Sequence, residues 1–179
     1  MKKKLFTEIV FLGFIGMLSS LSLTPFNFFI INFFTFSSFY LFLSKKLKKK
    51  TNTKIFFLYG WVFGFGYFVT NLYWISISLT FDQNFKSLIP LTIILIPSFL
   101  GMFFGLISYL FIILKPKDFV SSLLVFSLIF GIVDFIRGSI LTGFPWNLIA
   151  YSFTNQLKLL SITSICLLYT SDAADECSG

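Results

Sequence analysis

The stretch "LTIILIPSFLGMFFGLISYLFIIL", Leu91–Leu114, runs 24 residues without a charge. A strand of a membrane barrel alternates polar and apolar residues over roughly 10 positions, and this stretch does not alternate. A helix needs roughly 20 apolar residues to cross the hydrocarbon core, a length that it meets. Backbone N–H and C=O groups in lipid must bond within their own segment. The stretch therefore reads as a membrane-spanning helix.

The rest of the chain repeats the pattern. Its 179 residues are 56% hydrophobic and 12% charged, against about 45–50% and about 25% in soluble domains. Apolar runs cover Leu5–Leu23, Asn27–Leu43, Ile55–Leu79, Leu88–Leu114 and Phe119–Ile136. The expected fold class is all-α: a polytopic transmembrane helical bundle with five complete spans plus the start of a sixth. The first run follows "MKKK" and ends in small residues, as a signal peptide does. It is longer than a usual signal core and another span follows at once, so an uncleaved first helix is expected. Pro25 holds Thr24 out of the helical state, Asn27 is a candidate cap for the second run, and Pro97 should kink the fourth.

Charge placement orients the bundle. Lys2–Lys4, the cluster from Lys45 to Lys54, and Lys115 with Lys117 fall in alternate breaks between apolar runs. The opposite breaks hold only Lys86, Arg137 and Lys158. The positive-inside rule places the N-terminus in the cytoplasm. The net charge of +7 is thus topology information, and no nucleic-acid partner is implied. The 28 Phe and the excess of Lys over Arg fit an AT-rich codon bias, so the Phe count is not read as function. With no His, and with Cys166 and Cys177 as the only cysteines, no metal site or cofactor is expected. Asp82, Asp118 and Asp134 are scattered and make no carboxylate dyad. No catalytic residue is expected in this chain.

Several residues invite more than one reading. Gly60 and Gly64 form a small-xxx-small pair suited to close helix packing. Asn71, deep in the third run, should bond to a neighbouring helix, because a lone amide in lipid is costly. Tyr73 and Trp74 suit either interface anchoring or substrate contact. Glu8 reads as interfacial, with Lys4 one turn away as a partner. Asp134 and Arg137, three positions apart, share a helix face and suit an ion pair; Arg137 also suits a phospholipid phosphate. Gly138 should end the fifth helix. Gly143 and Pro145 then forbid its simple continuation, and Trp146 suits the membrane boundary.

The stretch Asp134–Ser152, with "RGSILTGFPWNLIAYS" from Arg137, resembles the bacterial apolipoprotein N-acyltransferase family. That family shows an acid, then Arg-Gly, then Thr-Gly-Phe-Pro-Trp, then an aromatic-Ser pair; here these are Asp134, Arg137, Gly138, Thr142, Gly143, Phe144, Pro145, Trp146, Tyr151 and Ser152. "LTPFNFF" and "GFGYFVTNLYWISISL" resemble its first turn and third helix, in matching order over 1–165. The resemblance implies an inner-membrane enzyme moving a fatty acyl chain from a phospholipid donor to the N-terminal amine of a diacylglyceryl-cysteine apolipoprotein. It implies a thioester on a cysteine of a Glu-Lys-Cys triad, in a nitrilase-like domain downstream of these residues. It also makes Arg137, Trp146, Asn71, Tyr73 and Trp74 candidate lipid or substrate contacts. Asp134, Gly138, Gly143, Phe144 and Pro145 become its structural motif.

From Cys166 the membrane pattern stops. "CLLYTS", Cys166–Ser171, resembles the in-frame translation of a transposase-type adapter, TGT CTC TTA TAC ACA TCT. A membrane domain over 1–165 and a non-native tail over 166–179 are therefore expected; a short natural acidic tail is the alternative. A transporter fragment is the competing function. Transporters bury ionisable groups at midplane, where this chain offers Asn71 and a few hydroxyls.

Overall fold

The computed structural model describes residues 2–23, 26–48, 52–81, 83–114, 116, 118–140, 149 and 152. Among the described residues there are six α-helices, in order α1 (Lys2–Ser19), α2 (Ile30–Leu47), α3 (Thr53–Asn71), α4 (Tyr73–Ser78), α5 (Ile89–Leu114) and α6 (Phe119–Ile140). Short 3-10 turns cover Ser20–Ser22 and Gln83–Leu88. No strand occurs among the described residues, which agrees with the all-α expectation.

Three helical stretches, Lys3–Ser22, Lys86–Leu114 and Phe119–Ile140, are long and apolar enough to cross a membrane. The other two expected spans, α2 and α3, are helical but more polar. α2 carries Asn32, Thr35 and three serines and ends on Lys45 and Lys46. α3 carries Lys54 near one end and Thr70 and Asn71 at the other. Outward faces are apolar throughout: Phe14 on α1, Phe34 on α2, Leu95 on α5, and Leu128 and Phe135 on α6 are all exposed. So much contiguous apolar surface suits a lipid surrounding, not water.

α3 is the centre of the bundle, packing most extensively against α5 and then α1. Glycines make both contacts possible. A Cβ added at Gly60 would meet the Phe104 carbonyl and Ser108 of α5, and one added at Gly64 would meet Phe104 and Gly101. On the other side, Gly66 lies against the Gly13 carbonyl of α1, and Gly16 against the Phe63 carbonyl of α3. The expected role of Gly60 and Gly64 is the observed one. Lipid supplies no hydrophobic drive between helices, so close backbone approach and van der Waals contact must do the work. The Trp61 indole N–H also donates to the Ser98 carbonyl of α5 at 2.9 Å.

Phenylalanines fill the remaining volume. Phe39 of α2 stacks on Phe63 of α3, ring centres 4.2 Å apart. Phe36 meets Phe63 and Phe130 edge-on, and Phe104 joins Phe130 at 5.6 Å. The phenylalanines that face inward form much of the core.

Several local expectations are corrected. Asn27 is not the cap of α2: it sits at φ 57, in the left-handed region that Asn tolerates, and Phe29 takes the cap position. α2 continues past Leu43 to Leu47, because the Lys stems at its end can lie along apolar surface while their ammonium groups reach water. The third run is not one helix to Leu79; it breaks at Leu72, between α3 and α4. Gly138 does not end α6, which continues to Ile140. A glycine inside a helix costs only about 1 kcal/mol, less than freeing backbone groups in lipid. Ser139 moreover returns a hydrogen bond to the Phe135 carbonyl.

Glu8 is half-enclosed at the basic end of the bundle. Its carboxylate accepts a 2.6 Å hydrogen bond from Tyr59 and pairs with Lys46 of α2, whose ammonium lies over the Phe42 and Tyr59 rings. Lys46, from another helix, makes the direct ion pair and joins α1, α2 and α3, while Lys4, the expected partner, lies within electrostatic reach. Replacing Tyr59 with Phe should destabilise the chain by about 1.5–3 kcal/mol, the usual worth of a hydrogen bond to a charged group. Unfolding in lipid bicelles would measure it; an unchanged midpoint would show the cluster to be idle.

Candidate functional site

The polar groups at the other end of the bundle gather where α3 ends and α6 approaches it. The break at Leu72 leaves the last carbonyls of α3 without intrahelical partners. Side chains add second bonds to carbonyls in the turn just before the break. The Asn71 amide donates to the Tyr67 carbonyl at 2.8 Å, and the Thr70 hydroxyl reaches the carbonyls of Gly66 and Tyr67. Asn71 was expected to bond across to a neighbouring helix; this bond lies within its own. Tyr73 opens α4 and is 56% exposed, as an interfacial anchor or a lipid contact would be. Trp74 lies in α4, with its side chain outside the described residues.

Arg137 is the most unusual side chain of this end. Among the described residues it is the largest that is fully enclosed, at 1% exposure. Its Nε and one terminal nitrogen both donate to Asp134 Oδ1, at 3.2 and 2.6 Å. The guanidinium carbon lies 5.1 Å from the centre of the Phe68 ring, a cation–π distance. The expected ion pair is therefore present, and its i,i+3 spacing holds it on one face of α6. Tyr67, with no exposure, lies within electrostatic reach of both charges. A charge this deep is stable only when paired and hydrogen-bonded, so the pair docks α6 onto α3 through Phe68. Neither Phe68 nor Tyr67 stood out in the sequence, since one more aromatic among so many gives no signal.

Asn32 was also passed over, although a polar residue interrupting an apolar run is the signal that singled out Asn71. It is 4% exposed, and its amide donates to Ser152 Oγ at 2.9 Å. The Ser152 hydroxyl in turn donates to the Ile149 carbonyl at 2.7 Å. Ser152, a member of the aromatic-Ser pair, is thereby tied to the start of α2. Trp146, Gly143, Phe144 and Pro145 lie outside the described residues. Among the described residues no group of His, Cys, Asp or Glu has the makings of a metal site.

Residues 15–170 match the sequence model of the apolipoprotein N-acyltransferase N-terminal domain. The chain belongs to the apolipoprotein N-acyltransferase family. Curated relatives, each named apolipoprotein N-acyltransferase, agree over most of its length. The one from Rhodopseudomonas palustris is 36% identical over 154 residues, covering 84% of this chain and 28% of the relative. The one from Rickettsia prowazekii is 35% identical over 164 residues, covering 91% and 32%. The one from Agrobacterium fabrum is 31% identical over 175 residues, covering 89% and 33%. The chain thus spans about a third of the length of these acyltransferase relatives.

Proposed function

We propose that this chain is the membrane portion of a phospholipid-dependent apolipoprotein N-acyltransferase. Such an enzyme transfers a fatty acyl chain from a phospholipid to the N-terminal amine of a diacylglyceryl-cysteine lipoprotein. The match of residues 15–170 to the family's N-terminal domain carries the reading. Physical chemistry makes a membrane portion useful for this reaction: bringing an acyl chain into water costs about 0.8 kcal/mol per methylene. A bundle that keeps donor and acceptor chains in the apolar phase lets only the reacting carbonyl and amine approach the outer surface.

In this reading the chain crosses the bacterial inner membrane five times and begins a sixth crossing, with a cytoplasmic N-terminus. The lysine bias between breaks supports that orientation. Residues 1–165 form the membrane domain and 166–179 a non-native tail. The family match runs to residue 170, a little past that boundary, and sequencing the source gene through these codons tests it. Catalytic residues are assigned outside this chain. Asn71, Tyr73, Trp74 and Trp146 are proposed lipid or substrate contacts. For Arg137, enclosure favours holding the neighbouring segment over meeting a head group directly.

A chimera tests the function. Residues 1–165 should replace the matching segment of the Rickettsia prowazekii relative and restore lipoprotein N-acylation to cells depleted of their own enzyme. Mass spectrometry of a lipoprotein N-terminus reads the result. Purified 1–179 alone should show no N-acylation. A chimera that inserts in the membrane yet leaves the amine free would favour the transporter reading.

A further inference from the structure

Of the three stretches apolar enough to cross a membrane, α6 is the least enclosed. It packs chiefly on α5 and touches α2 sparingly, through ring contacts such as Phe36–Phe130 and Phe39–Phe126. Beside that seam an open cleft of about 340 Å³ separates α2 from α6. Its walls set the small residues Ser37, Ser127 and Gly131 among Phe33, Phe36 and Phe130. Ser127 and Gly131 stand four positions apart, the small-xxx-small spacing that lets helices approach closely. Gly16, Gly60, Gly64, Gly66 and Gly101 each lie against another helix, whereas a Cβ added at Gly131 meets nothing within 4 Å. The helix that would use Gly131 is not among α1 to α5.

The path of the chain says what covers the cleft. Ile149 lines it, and Ser152 accepts a hydrogen bond from Asn32 in the first turn of α2. Whatever follows Ser152 therefore starts at the edge of the cleft, at the end where α2 begins. In the sequence beyond, Leu157, Leu160, Ser161 and Ser164 recur at intervals of three and four, the spacing of one helix face. That face is apolar and small, the complement of a wall made of Phe, Ser and Gly. Length agrees, since the chain spans only about a third of its acyltransferase relatives.

We propose that the α2–α6 cleft is the seat of the membrane span that follows Ser152, entered by the face of Leu157, Leu160, Ser161 and Ser164. The span runs parallel to α2 and antiparallel to α6. The cleft takes the side chains of one helix face, and Ser127 with Gly131 lets the axes approach to roughly 8 Å, the near end of helix packing. The N-terminal domain thereby becomes the surface on which the rest of the protein assembles. The inference rests on the sixth crossing of the proposed function. Lipid chains and a second copy are the competing occupants, and neither is tethered at the edge of the cleft as this segment is.

Cysteine pairs test it in the full chain, with Cys166→Ser and Cys177→Ser removing the native thiols. A disulfide forms only where two Cα atoms come within about 7 Å. Ser127→Cys or Gly131→Cys is combined with a cysteine at Leu157, Leu160, Ser161 or Ser164, and separately with one at Leu159 or Ile162 on the opposite face. After mild oxidation in native membranes, mass spectrometry should find linked peptides for the first set and none for the second. Gly131→Phe, whose ring fills the seat, should abolish the bond from Ser127→Cys. Equal bonding of both faces, no bonding at all, bonds only between two copies, or a bond that survives Gly131→Phe would overturn the proposal. The bond is read without acyl transfer, so its formation beside a chimera that fails to acylate keeps the seat and loses the acyltransferase reading.

Discussion

Replacing Asp134 with alanine destabilises the folded chain by about 3–5 kcal/mol, the penalty for leaving one member of a buried ion pair uncompensated. The reason lies in where Arg137 sits. At 1% exposure its guanidinium cannot recover hydration without leaving its place against Phe68, and Asp134 Oδ1 accepts from two of its nitrogens. The Phe68 face supplies about 0.5–2 kcal/mol, less than the loss of a charged partner costs. Removing both charges, as in Asp134→Leu with Arg137→Met, should return most of the loss, because an apolar pair of similar volume is often as stable as a buried ion pair. Unfolding of single and double variants in bicelles measures the coupling. A single Asp134→Ala variant as stable as the wild type would show that Arg137 is satisfied by other groups.

The second large effect is steric. Gly60→Val sets a branched side chain against the Phe104 carbonyl and Ser108 of α5. These are backbone and short side-chain atoms that cannot swing aside, so α3 and α5 must separate along their whole contact. Overpacking commonly costs about 1–3 kcal/mol; this variant should reach the upper end or fail to accumulate. Gly131→Ala is the control on the exposed side of α6, where an added Cβ meets open space. It should be neutral or stabilising by up to about 1 kcal/mol, the helix preference of Ala over Gly. Thermal unfolding of the two variants separates packing from propensity. Equal behaviour would mean that the α3–α5 seam is not tight.

Much of this protein could be read from residue order alone. The charge-free run Leu91–Leu114 determined that the bundle is helical, because lipid leaves the backbone no other partner. Gly60 and Gly64 announced a close helix contact, since small residues at that spacing have one common use in a membrane. Asp134 and Arg137 announced an ion pair, because an i,i+3 spacing puts the two charges on one helix face. The motif after Arg137 announced the family. All of these are local: spacing along one helix settles them.

What residue order left open was which helices meet. Glu8 had Lys4 within a turn, yet Tyr59 and Lys46 from two other helices bond it. Gly138 looked like a helix end, but the need to keep backbone groups paired carried α6 on to Ile140. Asn71 sends its side-chain amide to the Tyr67 carbonyl of its own helix, a bond that the spacing did not show. Arg137 could have faced a lipid phosphate or the core, and only the packing of α6 against Phe68 chose the core. In a chain this apolar every helix has several faces able to bury, so sequence determines that helices form, and side-chain fit between them determines which polar atoms are left to act.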